Sequence, residues 1–300
     1  MSSVTILDGG MGQELIRRSG QPAQALWSTQ VMIDHPGLVG DLHSDYVDAG
    51  AEVITTNSYA IHRDRLRGGA SNHYAGEGID LPDREAEFEA LLGRAMDEAE
   101  SVRGRAQIAG SIGPLGASYR ADLNPPHAEA VALYAEVAKA LAPRADILLF
   151  ETIASIDAAR ACLEAGRQTL RPVWLSFTID DEDGTRLRSG EPVADAVAVA
   201  KDADAVLANC SAPEAMPAAL DPLARAGVPF GAYANAFTQI TKAFLDGGTT
   251  ASDLSARRDM GPAAYADHVM RWIDMGATIV GGCCETGPDH IAAIAGRLGR

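Results

Sequence analysis

Three of the chain's four cysteines stand where a short apolar run ends: Cys210 in LANCSA, and Cys283 and Cys284 in TIVGGCCETG. Adjacent cysteines rarely bond to each other, because the ring that closes is strained away from disulfide geometry. Thiolates are soft ligands, and a catalytic zinc takes three protein ligands, with sulfur at about 2.3 Å, and keeps a fourth position open. Three cysteines match that count, although none forms a CxxC pair, and spacing alone leaves zinc ligation and unrelated buried thiols both open. Gly281 and Gly282 are expected to let the backbone turn tightly enough to aim both neighbouring thiols inward. Cys162, in DAARACLEAG, has the setting of a helix-face or core residue.

Two carboxylates invite the same question. Asp8 follows VTIL and Glu151 follows ILLF. A carboxylate at the end of an apolar run is costly to bury without a partner. It either recognises a cation, such as an amino acid ammonium, or forms a structural pair with Arg or a backbone cap. Asn57, Ser111, Asn209, Tyr233 and Asn235 stand at similar ends, as hydrogen-bonding wall residues or as caps. The seven histidines show no metal-ligand spacing and are expected on the surface or in loops.

Positioning these residues takes regular elements. Eight short apolar runs read as strands: 4–7, 53–55, 107–109, 147–150, 173–177, 205–207, 229–232 and 278–280. Helical stretches lie between them, over 84–102, 127–141, 156–170, 193–200 and 263–275. Strands alternating with helices imply parallel βαβ units, and eight units suit a (β/α)8 TIM barrel of class α/β, of about 250 residues plus insertions. A doubly wound open sheet is the alternative, but the turn after strand one, DGGMGQEL, lacks the GxGxxG spacing. No linker or composition break divides residues 1–300, so a single domain is expected. His62–Asp80 and Gln239–Gly261 read as long loops. In a barrel, chemistry gathers at the C-terminal strand ends, which is where the cysteines and carboxylates fall.

Composition narrows the function classes. The 300 residues are 47% hydrophobic, ample for a large core. A net charge of −16 disfavours nucleic acid and anionic lipid. No apolar run approaches the roughly 18 residues of a membrane span. The start, MSSVTILDGG, lacks the basic and apolar regions of a secretory signal, so a cytoplasmic location is expected. Nothing in the sequence speaks to oligomeric state.

The stretches DGGMGQELIRR, TTNSYA, AGSIGP, LFET, ANCS and GGCCET, in this order and over nearly the whole chain, resemble the homocysteine S-methyltransferase family. The resemblance implies a zinc-bearing (β/α)8 barrel with Cys210, Cys283 and Cys284 as ligands. It implies that Asp8 and Glu151 hold the homocysteine amino group, with Asn209 and Asn235 among the substrate-binding residues. It implies methyl transfer from an onium donor to homocysteine, giving methionine. A sulfonium such as S-methylmethionine suits the chain's length, with betaine or another ammonium donor, or another thiol acceptor, as alternatives. The stretches YANAFTQ and LGASYRADLNPP depart from the family's sulfonium-using pattern and are candidates for lining the donor pocket. A zinc hydrolase barrel fits less well, since no HxH stands on strand one.

Overall fold

The computed structural model describes residues 4–24, 26–68, 82–238, 240 and 254–300. Among these, eight parallel strands form one sheet: β1 Thr5–Ile6, β2 Val53–Thr55, β3 Gln107–Ile112, β4 Ile147–Ile153, β5 Val173–Phe177, β6 Ala205–Asn209, β7 Phe230–Ala234 and β8 Ile279–Gly282. Each strand pairs with its sequence neighbour, and β1 pairs with β8. The last gap, between β1 and β2, is bridged at Leu7 and Val53, where Asp8 N–H donates to Val53 O at 3.0 Å. The sheet therefore closes into the expected barrel, which leaves no unpaired edge.

The strands read as near-continuous apolar runs because both faces are covered. β4 is buried along its full length. Leu7, Val53, Ala109, Leu149, Leu207 and Ile279 fill the barrel interior. The opposite faces pack against an outer ring of helices: α1 Gly12–Ser19, α2 Trp27–Asp34, α3 Leu38–Asp48, α4 Arg63–Leu66, α5 Phe88–Ala99, α6 His127–Leu141, α7 Ile156–Gly166, α8 Val193–Ala200, α9 Met216–Leu223, α10 Pro262–Asp274 and α11 Pro288–Arg297. Three of the seven buried residues of α6 and four of the eight of α7 are alanines.

The structure departs from the sequence reading in four places. Strands β3, β4, β6, β7 and β8 run further than expected, so Ser111, Glu151, Asn209, Tyr233, Gly281 and Gly282 lie inside strands rather than after them. A turn of helix, α4, stands inside the expected His62–Asp80 loop, whose residues 69–80 lie outside the described set, as do 239 and 241–253 of the second loop. His43 and His62 are buried, not superficial. His62 Nε2 lies 3.0 Å from Gly113 O, and desolvation draws both rings down to about 4, so they are neutral packing groups at pH 7. Finally, Gly281 and Gly282 take no positive φ. They are small because space demands it: a Cβ on Gly282 would sit 2.0 Å from Thr286 Oγ1, and one on Gly281 2.6 Å from Leu7 Cβ.

Candidate functional site

The C-terminal strand ends enclose a cavity of about 200 Å³, and Asp8, Glu151 and all three strand-end cysteines line it. Glu151 owes its direction to a break in the ladder. Pairing between β4 and β5 shifts register between Phe150 and Ile153, and Thr152 between them takes φ +60°. Such a bulge re-aims a side chain. Asn209 holds it: its Oδ1 accepts from Thr152 N–H at 2.9 Å and Ser176 Oγ at 2.8 Å. Its amide nitrogen donates to Thr152 Oγ1 at 3.0 Å and lies 3.5 Å from Glu151 Oε2. Asn209 is fully buried and does not line the cavity, so its bonds position Glu151 rather than reach into the space.

The Glu151 carboxyl accepts from Ser111 Oγ on one oxygen and from Tyr233 Oη at 3.0 Å on the other. Asp8 accepts from Thr55 N–H at 2.7 Å and from Thr55 Oγ1 at 3.0 Å. Burial pushes the Asp8 carboxyl up to about 8, against the Thr55 bonds that oppose it and with the Glu151 charge adding to the rise. Burial raises Glu151 as well, against its bonds from Ser111 and Tyr233. Two neighbouring carboxyls, each held by neutral donors and each desolvated, are set for a cation that enters from the cavity.

In the same cavity lining, the sulfurs of Cys210, Cys283 and Cys284 lie within 4.8 Å of one another. Cys210 follows β6 at φ +50°, and the other two follow β8. Cys210 and Cys283 are joined as a disulfide, with Cα atoms 5.7 Å apart, and Cys284 Sγ stands 3.7 Å from Cys210 Sγ. The sequence reading expected reduced thiols here. The pair must be reduced before all three sulfurs can serve a metal. The donor set fits a soft dication. The edge of a tetrahedral ZnS₄ shell is about 3.8 Å when Zn–S is about 2.3 Å, close to the Cys210–Cys284 separation. Burial pushes the Cys284 thiol up to about 12, so deprotonation of Cys284 calls for a cation beside it. Tyr119, Phe237, Ile240 and Leu254 form an apolar cluster with the three cysteines that limits water beside them. The remaining cysteine, Cys162, is buried in the core on α7, as expected.

Aromatic side chains complete the wall. Trp27, Tyr59 and Tyr119 all line the cavity. Trp27 at φ +50° and Tyr119 at φ +67° hold backbone conformations that bulky residues rarely adopt. With Thr152 and Cys210, four of the five non-glycine residues at positive φ among those described line this one space. Such strain gathers at functional sites, where packing over-determines it. The Trp27 indole lies on Gly12, where a Cβ would fall 1.7 Å from Nε1. Within the departing stretches, Ser118, Tyr119 and Tyr233 line the cavity; Asn235 does not, and its Oδ1 accepts from Phe237 N–H at 3.2 Å. Asp122 is exposed and paired with Arg120.

Comparison with known proteins points the same way. The sequence model of the homocysteine S-methyltransferase family matches residues 5–298. A homocysteine S-methyltransferase of Escherichia coli K12 is 31% identical, over 98% of this chain and 95% of its own. A selenocysteine Se-methyltransferase of Brassica oleracea is 27% identical, over 98% of this chain and 88% of its own. The crystal structure of the E. coli homocysteine methyltransferase MmuM in a metallated form superposes with a TM-score of 0.77 at 29% identity, covering 99% and 96% of the two chains. An oxidised form of MmuM gives the same score and identity.

Proposed function

This chain belongs to the homocysteine S-methyltransferase family, and from that we propose that it transfers a methyl group from an onium donor to homocysteine, giving methionine, with a zinc ion on Cys210, Cys283 and Cys284. The observation that carries the reading is one cavity lined by both a soft-metal thiol trio and two cation-ready carboxyls. Homocysteine has the matching ends, a sulfur and an ammonium.

Zinc on the three cysteines would supply a Lewis acid that favours the deprotonated, nucleophilic form of the acceptor sulfur at neutral pH. The protein's own groups do the rest. Asp8 and Glu151 hold the acceptor ammonium and so fix its sulfur in reach of the donor. Thr55, Ser111 and Tyr233 keep both carboxyls aimed. Trp27, Tyr59 and Tyr119 offer π faces to a methyl-bearing cation. In the transfer, a lone pair of the acceptor sulfur forms the new S–C bond. The bond from that methyl carbon to the donor's onium atom breaks, and its electron pair stays on the donor. The donor leaves without its positive charge, and the acceptor's thiol proton has gone to solvent. A dry aromatic wall favours this step, because charge is lost as the methyl group moves.

S-methylmethionine or a similar sulfonium is the donor we favour, and betaine is the ammonium alternative. The likeness to a selenocysteine Se-methyltransferase makes a selenol acceptor worth including. The test is reduced, zinc-loaded protein with homocysteine and a panel of sulfonium and ammonium donors, scored for methionine. Methionine from at least one donor, with about one zinc bound per chain, is the expected result. No methionine from any donor, or less than a tenth of an equivalent of zinc after reduction and loading, overturns the reading.

A further inference from the structure

One buried donor beside the cysteines is not used by the chemistry above. Gln13 is the second residue of α1 and lines the cavity together with Cys284. It is 6% exposed, and its Nε2 has no hydrogen-bond partner of normal geometry among the described residues. A buried amide nitrogen in that state is costly, and native proteins keep few of them. The turn before α1 fixes its place. β1 pairs with β8, so the turns that follow these strands lie together. A Cβ on Gly10 would sit 2.6 Å from Cys283 O and 3.3 Å from Cys284 Cα. Gly10 N–H donates to Thr286 O at 2.7 Å, and Tyr46 Oη reaches both Gly10 O, at 2.8 Å, and Thr286 O, at 3.1 Å. The Gln13 amide is thereby held beside the Cys284 thiol, where it opposes the rise that burial causes.

We propose that Gln13 donates a hydrogen bond to the Cys284 thiolate of the metal-loaded protein, and so steers the donor's methyl group to the acceptor sulfur rather than to a ligand sulfur. The inference rests on the methyl-transfer reading for the metal and for the onium donor. A neutral thiol sulfur is a weak acceptor, which leaves Nε2 poorly met while Cys284 keeps its proton. A thiolate is a charged acceptor, and the same contact then becomes a charge-assisted bond. An amide suits the place, because it donates without a charge that would repel the metal. An onium donor in this cavity faces ligand sulfurs as well as the acceptor sulfur. Attack by Cys284 would form a bond from its sulfur to the methyl carbon. The bond from that carbon to the onium atom would break, with its electron pair left on the donor, and a thiolate ligand would become an uncharged thioether. A thiolate loses nucleophilicity as its basicity falls, and a hydrogen bond lowers both on the sulfur it touches. The acceptor sulfur, outside that bond, keeps its reactivity. Such an outer partner also orients its ligand and tightens the hold on the metal.

The experiment compares reduced, zinc-loaded wild type with Gln13→Met, which keeps the side chain's length and removes the donor, and with Gln13→Asn, which keeps the amide. Zinc affinity is read by chelator competition. The charge-transfer spectrum is read on Co(II)-substituted protein. Alkylation of Cys284 by iodoacetamide at saturating zinc is read by mass spectrometry. Gln13→Met should bind zinc about 10- to 100-fold more weakly. Its sulfur-to-cobalt band should move to longer wavelength, and Cys284 should be alkylated about tenfold faster, the loss of one charged hydrogen bond. Given S-methylmethionine or betaine without an acceptor, it should also gain a methyl group on Cys284 faster than the wild type. Gln13→Asn should lie between the two. In the wild type, Cys284 should be alkylated more slowly than Cys283, which is likewise half-buried. A wild type alkylated first at Cys284 overturns the proposal without any variant. So does a Gln13→Met protein that matches the wild type in zinc affinity, spectrum and alkylation; a raised KM for homocysteine in that protein would assign Nε2 to the acceptor instead. Methionine formation with an indifferent Gln13→Met overturns this inference alone, whereas the expected zinc, spectral and alkylation changes without methionine overturn methyl transfer alone.

Discussion

At the scale of single residues, the two chemical groupings make separable predictions. Cys284→Ser should remove most of the bound zinc and most of the activity, because a serine hydroxyl is a poor zinc ligand and two thiolates leave the shell incomplete. Cys162→Ser should do neither, since Cys162 is a core residue on α7. Zinc analysis and methionine formation on both variants check this, and a zinc-replete, active Cys284→Ser protein refutes the three-cysteine site. Asp8 gives a pH signature of unusual sign. Its folded carboxyl titrates near 8, far above the unfolded value of about 3.9. Between those values the folded state holds a proton that the unfolded state has lost. Stability of the metal-free protein should therefore fall as pH rises from about 4 to about 8, by up to about 1.4 kcal/mol per pH unit from this group. Urea midpoints of wild type and Asp8→Asn at several pH values test it; equal slopes in the two proteins defeat the assignment.

At the scale of elements, the decisive device is the bulge in β4. The sequence LFET places a carboxylate after an apolar run, but only the shift between Phe150 and Ile153 turns it to the cavity. Asn209, one strand further than β5, satisfies the Thr152 N–H that the bulge frees. Asn209→Ala leaves that buried N–H without its acceptor, at a cost of about 1–3 kcal/mol. It should also weaken homocysteine binding, because Glu151 loses its support, while zinc content holds. Calorimetry and thermal unfolding measure the two effects. A variant with wild-type stability and reduced homocysteine affinity would instead place Asn209 against the substrate.

At the scale of the molecule, the barrel supplies its own core. Its strands close without an edge, and large side chains such as Trp272, Tyr134 and Tyr265 are fully buried against them. The cysteine trio lies at the rim, between the ends of β6 and β8. Removing zinc with a chelator under reducing conditions should then leave far-UV circular dichroism unchanged and lower the Tm by only a few degrees, unlike a zinc finger, where binding is folding. Collapse of the spectrum on chelation makes the metal structural and takes away the main support for the catalytic reading.

Much of this was legible in the sequence. Period, length and turn residues announced eight strands with helices between them, and α6 and α8 begin and end at the residues expected. These are local signals, fixed by which side chains a strand or helix can bury. The site's chemical ends were legible for the same reason: Cys210, Cys283, Cys284, Asp8 and Glu151 each stand where an apolar run stops. The aromatic wall was legible in part: Tyr119 stands in LGASYRADLNPP, a stretch expected to line the donor pocket, but nothing pointed to Trp27. Trp27 lies far along the chain from Tyr119, and its lining role depends on a positive φ and on the missing side chain of Gly12, against which the indole lies. Which strand ends converge, which backbone is strained and which charge is desolvated depend on contacts between residues distant in sequence, so only the closed barrel decides them.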